Sequence, residues 1–121
     1  MKEEAIYTLA LNSIPGIGNV LLKQLVAYSG SPSEAFKASK KLLTKIPGIG
    51  PSLISSLESE KKEAMRKAEK EAEALEKEGG FMVHYLEQDY PVRLKGIPDA
   101  PPVLFGKGHF HFEAQHTLAI V

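Results

Sequence analysis

The sequence contains no cysteine and no tryptophan. Without cysteine there is no disulfide framework, no thiolate zinc site and no thiol nucleophile, a composition that accords with a reducing compartment. Aspartate is nearly absent too, with only Asp89 and Asp99. A metal-dependent hydrolase or nuclease needs clustered carboxylates, so that class finds no support here. Asp99 stands in a proline-rich stretch, where a turn suits it better than a metal. No apolar run approaches the roughly 18 residues that a bilayer span requires. The opening Met1-Lys2-Glu3-Glu4 is too acidic for a secretory signal. Nor is there charge of one sign: 15 basic and 15 acidic residues cancel. A uniformly basic nucleic-acid clamp is thereby excluded, although a local basic patch is not. These absences predict a soluble cytoplasmic protein with no membrane partner, no cofactor and no enzymatic activity.

What is present is an ordinary globular mixture, 43% hydrophobic and 25% charged over 121 residues. The charge is unevenly placed. Residues 1–57 carry six lysines against three carboxylates, whereas residues 58–80 carry eight glutamates against five lysines and Arg66. Three units follow from this change and from the accompanying change in periodicity: 1–58, 59–80 and 81–121.

The first unit is built on a repeat. Ser13-Ile14-Pro15-Gly16-Ile17-Gly18 recurs thirty-two positions later as Lys45-Ile46-Pro47-Gly48-Ile49-Gly50. Each copy lies between apolar helical patterns, so the unit reads as helix, tight turn, helix, written twice. Between the copies, Ser31-Pro32-Ser33-Glu34 has the form of a capping box with proline at the first helical position. Ser39 is placed to cap another short helix before Leu42 and Leu43. Five short helices in about 55 residues are predicted.

The turn has a chemical use. Proline ends the first helix, the glycines admit positive φ and leave the backbone uncovered, and the isoleucine between them can fix the crossing of the two helices. The second helix then presents unpaired N–H groups and a positive dipole end, a site for phosphate. Gly16, Ile17, Gly18, Gly48, Ile49 and Gly50 are therefore the candidate contacts to a phosphate backbone. Lys23, about one turn into its helix, is their candidate cationic support. Its equivalent in the second copy is Ser55, a poorer phosphate ligand. Lys37, Lys40, Lys41 and Lys45 offer a basic rim, or simply a solvated face. The same paired turns are compact enough to act instead as a scaffold or a protein-docking surface.

Residues 53–78 lack glycine and proline and are crowded with Glu, Lys and Ala, which predicts a long helix. Its thin apolar stripe is Leu57, Ala64, Ala68, Ala72 and Leu75, with Met65 beside it. Gly79-Gly80 supplies a left-handed cap. Phe81–Leu86 reads as a buried strand, the proline-rich stretch after Tyr90 as an extended turning segment ending in a short strand near Val103, and Thr117–Val121 as a further strand. The chain stops on that strand, which reads as a truncation. The fold class expected is an α+β fragment.

Two resemblances follow from these residues. The duplicated Pro-Gly-Ile-Gly unit resembles the tandem helix-hairpin-helix (SAM-like) domain of DNA-transaction proteins. The order of motifs along the whole chain resembles the DNA-processing protein A family (DprA, also called Smf). The residues carrying it are Ile14 to Gly18, Tyr28-Ser29-Gly30-Ser31-Pro32, the second hairpin, Asp89-Tyr90-Pro91, Ile97-Pro98-Asp99-Ala100-Pro101-Pro102-Val103-Leu104-Phe105 and Leu118-Ala119-Ile120-Val121. The resemblance implies that residues 81–121 begin a Rossmann-like domain. In the family a Gly-Ser/Thr-Arg turn that helps build the DNA pocket follows the last of these strands; this sequence ends before it. For the parent protein the resemblance implies single-stranded DNA and RecA as partners, RecA loading, and a role in natural transformation (competence) and DNA recombination. The N-terminal module would then be an accessory one, and a homo-oligomer is a further expectation.

Other chemistries are weaker. The glutamates of 58–78 lie all around their helix and are balanced by lysines, the solvated pattern rather than a catalytic one. No feature outlines the deep acid-bearing pocket of a glycosylase. Gly106-Lys107-Gly108 lacks the spacing of a phosphate-binding loop. His109, His111 and His116 could together hold a transition metal, but histidines in a linker are the plainer reading, and no metal is assigned. Two functions stay open: a nucleic-acid module that clips phosphates, and a protein-interaction or dimerisation module with no DNA contact of its own.

Overall fold

The computed structural model describes residues 3–107. Five helices form the first part: α1 (Glu3–Ser13), α2 (Asn19–Ser29), α3 (Pro32–Phe36), α4 (Lys40–Leu43) and α5 (Pro51–Lys77). The two predicted caps are in place. The Ser31 hydroxyl accepts the Glu34 amide at 3.2 Å, and the Ser39 hydroxyl accepts the Leu42 amide at 3.2 Å. A second first-turn donor of α3, the Ser33 amide, is satisfied from another helix, by Glu4 Oε1 of α1 at 2.9 Å.

The repeat in sequence is a repeat in structure. Leu11, Ile14, Leu22 and Leu25 of the first hairpin are buried, and so are Leu43, Ile46, Ile54 and Leu57, the residues thirty-two positions on. They meet in one core, closed by Val26, Ala35 and Phe36. The backbone repeats as well: Ile17 N–H donates to Ile14 O at 3.1 Å, and Ile49 N–H to Ile46 O at 3.2 Å. The copies differ at the central isoleucine, for Ile17 is buried and Ile49 only half-buried.

Helix α5 serves both parts of the chain. Its first turns complete the second hairpin, and it then continues unbroken through residue 58, where the composition changes, to Lys77. Propensity alone would leave a Glu/Lys/Ala helix half-formed; the buried stripe of Ala64, Ala68 and Ala72 holds it against the core. Gly79, at φ +77°, turns the chain out of the helix. Leu75 fills the space that a side chain on Gly80 would need.

The chain then forms an antiparallel ribbon of β1 (Gly80–His84) and β2 (Val103–Lys107), with Met82 opposite Phe105 and Val83 opposite Leu104. Alternation gives the ribbon two covered faces. Met82, Val103 and Phe105 pack on Ala5, Leu9, Ala72 and Leu75 of α1 and α5. Val83 and Leu104 pack under the connection between the strands, on Tyr90 and Leu94. That connection holds one short helix, α6 (Val92–Lys95), where the sequence suggested only extended chain. Tyr90 is fully buried and donates its hydroxyl to Pro101 O at 2.6 Å, so the two proline-bearing motifs brace each other. The result is an α+β arrangement, a helical hairpin core joined by α5 to a small sheet. The expected strand at 117–121 lies outside the described residues.

Candidate nucleic-acid interface

Each hairpin turn is shaped by its first glycine. Gly16 and Gly48 have φ of +93° and +89°, values that L side chains rarely adopt. The second glycine of each turn does something else. Gly18 and Gly50 are extended N-caps of α2 and α5, with no side chain to cap the following amides. Their Cα atoms face open space. Gly18 and Gly50 thus leave the first turns of α2 and α5 bare, the second with one donor fewer because Pro51 has no N–H, and Gly16, Gly18, Gly48 and Gly50 are all exposed.

The two ends have different surroundings. At the second hairpin, α5 begins with Pro51, and an open groove of about 530 Å³ runs beside the turn. Lys40, Thr44, Ile49, Ile54, Ser55 and Glu58 line it. Lys40, Lys41 and Lys45 are exposed. This end is open to a ligand.

At the first hairpin, α2 is docked against the proline-rich turn. Lys23 Nζ donates to Ala100 O at 3.0 Å, Pro98 O at 3.1 Å and Ile97 O at 3.4 Å. Asn19 Nδ2 donates to Asp99 O at 3.0 Å, and Asn19 Oδ1 accepts from Asn12. Four consecutive carbonyls, 97 to 100, thus converge on two side chains of one helix. The Tyr85 ring lies 5.4 Å from the same ammonium. Burial pulls the Lys23 pKa below the ordinary lysine value, and attraction to Asp99 partly offsets this. Lys23 is thus a half-buried cation that ties the hairpins to the sheet.

Sequence reasoning picked out Lys23 but not this engagement, and it missed Asn19. The signal lay in the repeat itself. Asn19 and Lys23 align with Pro51 and Ser55, so the two copies differ where only the first must dock.

His109, His111 and His116 lie outside the described residues. Among the described residues no group of three or more His, Asp or Glu side chains is placed to hold a metal ion. Among them, too, no helix is long and apolar enough to cross a membrane. The buried His84 is held in the ribbon's turn, its amide donating to Glu87 Oε2 at 2.8 Å.

The architecture defines a tandem helix-hairpin-helix module joined to a small α+β unit, and comparison with known proteins agrees. Residues 8–60 match the family described as the SAM-like helix-hairpin-helix tandem, and residues 81–121 match that of the DNA recombination-mediator protein A. The chain is 31% identical over 115 residues to Protein Smf of Synechocystis sp., an alignment covering 94% of this chain and 28% of that protein. The chain belongs to the DNA-processing protein A (Smf) family, and it spans a little over a quarter of the length of this relative. No solved structure matches it at a significant level.

Proposed function

We propose that this chain is the N-terminal portion of a cytoplasmic protein that binds single-stranded DNA and loads RecA onto it during recombination and natural transformation, and that it is not an enzyme. Family membership supports a DNA-processing role in recombination. The observation that carries the finer reading is the co-linear order: paired hairpins, one long helix and a recombination-mediator segment align with Smf over 94% of this chain. Within it the hairpins are an accessory module that meets the DNA backbone through Gly16-Ile17-Gly18 and Gly48-Ile49-Gly50. Helix-end amides and lysines recognise phosphate and carry no array suited to base edges. The test is a titration of the chain with labelled single- and double-stranded oligonucleotides at several salt concentrations. Weak binding that falls steeply with salt and differs little among sequences is the expected result. Strong sequence preference would overturn the assignment to the hairpins. RecA filament formation on single-stranded DNA, followed by its ATP turnover, tests the loading role.

A second reading is favoured by the Lys23 clasp. A hairpin whose cation is spent on its own chain acts as scaffold, and the module then serves protein association or dimerisation. Concentration-dependent self-association in sedimentation, with no oligonucleotide binding at low salt, is the result that selects it.

A further inference from the structure

We propose that the turn Ile97–Ala100 is a gate on the first hairpin: Asn19 and Lys23 hold it in a closed clasp, and a nucleic-acid backbone must displace it to reach the Lys23 ammonium. The proposal rests on the reading that the hairpins meet DNA, and it adds how one of them is regulated.

Three observations carry it. First, the turn offers what a phosphodiester also offers, a dense array of oxygen acceptors. Pro98, Pro101 and Pro102 bring no N–H groups of their own, and all four carbonyls from 97 to 100 point at Lys23 and Asn19. Second, the clasp is specific to one copy of a well-kept repeat. The core positions of the two hairpins correspond closely, yet Pro51 and Ser55 provide no cation where Asn19 and Lys23 grip the turn. Third, the outer part of the turn is lightly held, although Ala100 at its end is buried. Ile97, Pro98 and Asp99 are exposed, and the backbone bonds that shape it are short-range, Ile97 N–H to Leu94 O and Ala100 N–H to Ile97 O, both 3.1 Å.

The exchange is chemically balanced in favour of an anion. The clasp sets an ammonium against neutral carbonyls, whereas a phosphate would give it a charge-assisted bond. The Asp99 carboxylate strengthens the closed state by attracting Lys23 without a direct bond. While the clasp is closed, the apparent affinity of the first hairpin for DNA is reduced by the fraction of molecules that are open. The second hairpin carries no such gate and binds independently of it.

The test uses a short oligothymidylate and two variants that change no charge. Asn19→Ala removes the bond to Asp99 O, and Tyr90→Phe removes the brace on Pro101 O. Both leave Lys23 in place. Amide exchange at Ile97 and Ala100 is followed by NMR with and without oligonucleotide. Faster exchange at both amides on saturation, with at least roughly three-fold tighter binding by either variant, is the expected result. Binding by the wild-type chain with exchange at Ala100 unchanged, and equal affinities for the variants, would refute the gate while leaving DNA binding by the hairpins intact. No binding by the wild type or by either variant removes the gate and the hairpin reading together. Binding by a variant alone supports the gate. If Asn19→Ala does not fold, Tyr90→Phe decides.

Discussion

Leu53 lies over Gly16: a Cβ on that glycine would stand 2.8 Å from Leu53 Cδ1. The partner relationship holds at the other turn, where the nearest atom to a Cβ on Gly48 is Leu21 Cδ1 at 3.7 Å. Gly16 and Gly48 are equivalent in the repeat, and so are Leu21 and Leu53. Each turn therefore receives the leucine of the opposite hairpin, an exchange that locks the two copies face to face.

The unequal distances give the first prediction. Both glycines have positive φ, so alanine at either position is strained by about 1–2 kcal/mol. Gly16→Ala must also move the end of the half-buried Leu53 side chain, and it should be the more destabilising, by less than about 1 kcal/mol because that end can shift. Urea unfolding of the two variants measures the difference.

A second asymmetry concerns the isoleucines. Ile17→Ala should cost about 2–4 kcal/mol, as for a well-packed core residue. Ile49→Ala should cost clearly less, because Ile49 is only half-buried beside the open groove. Equal losses in thermal or urea unfolding would show that the groove closes in solution.

Lysines on the same module should behave differently from one another. Lys23→Met should cost about 1–2 kcal/mol, because it leaves the carbonyls of the 97–100 turn without their charged donor. Lys41→Ala, on an exposed position, should change stability by less than about 0.5 kcal/mol. Chemical denaturation under matched salt separates the two.

Alkaline titration probes the junction between hairpins and sheet. Burial pushes the Tyr85 phenol up to about 12, from an ordinary 10.0. The folded state therefore holds this proton more tightly than the unfolded chain does. The associated stability is complete below about pH 10 and is lost as pH rises toward 12. Stability measured across that window should fall, and Tyr85→Phe should flatten the fall; an unchanged slope in the variant would assign it to other groups.

Much of this architecture can be read in the sequence, and the reason is periodicity. Leu57, Ala64, Ala68 and Ala72 mark the inner face of α5 because a helix with one covered side must repeat its apolar residues every three or four positions. The caps at Ser31 and Ser39 are local chemistry, complete within four residues. The hairpins announce themselves by duplication. What stayed hidden is non-local. Nothing near Lys23 in sequence says that its partners are seventy-odd residues away, and backbone carbonyls leave no signature in a side-chain pattern. Helix α6 was obscured because four residues after a proline are too few to show a period. Ile49 could not be separated from Ile17 by motif, since both stand between the same two glycines.

The unbroken course of α5 sets the mechanical character of the molecule. Its 27 residues form a rod of roughly 40 Å that begins as the last helix of one module and ends as the support of the next. A rotation of the second hairpin is thus delivered to the ribbon as torque rather than absorbed in a linker. Length matters as much as stiffness. One residue inserted near Arg66 would swing everything beyond it by about 100°, turning Ala68 and Ala72 away from α1 and putting Lys67 and Glu71 in their places. The segment that composition marks as a spacer is thus a stretch where the chain has no freedom to gain or lose a residue.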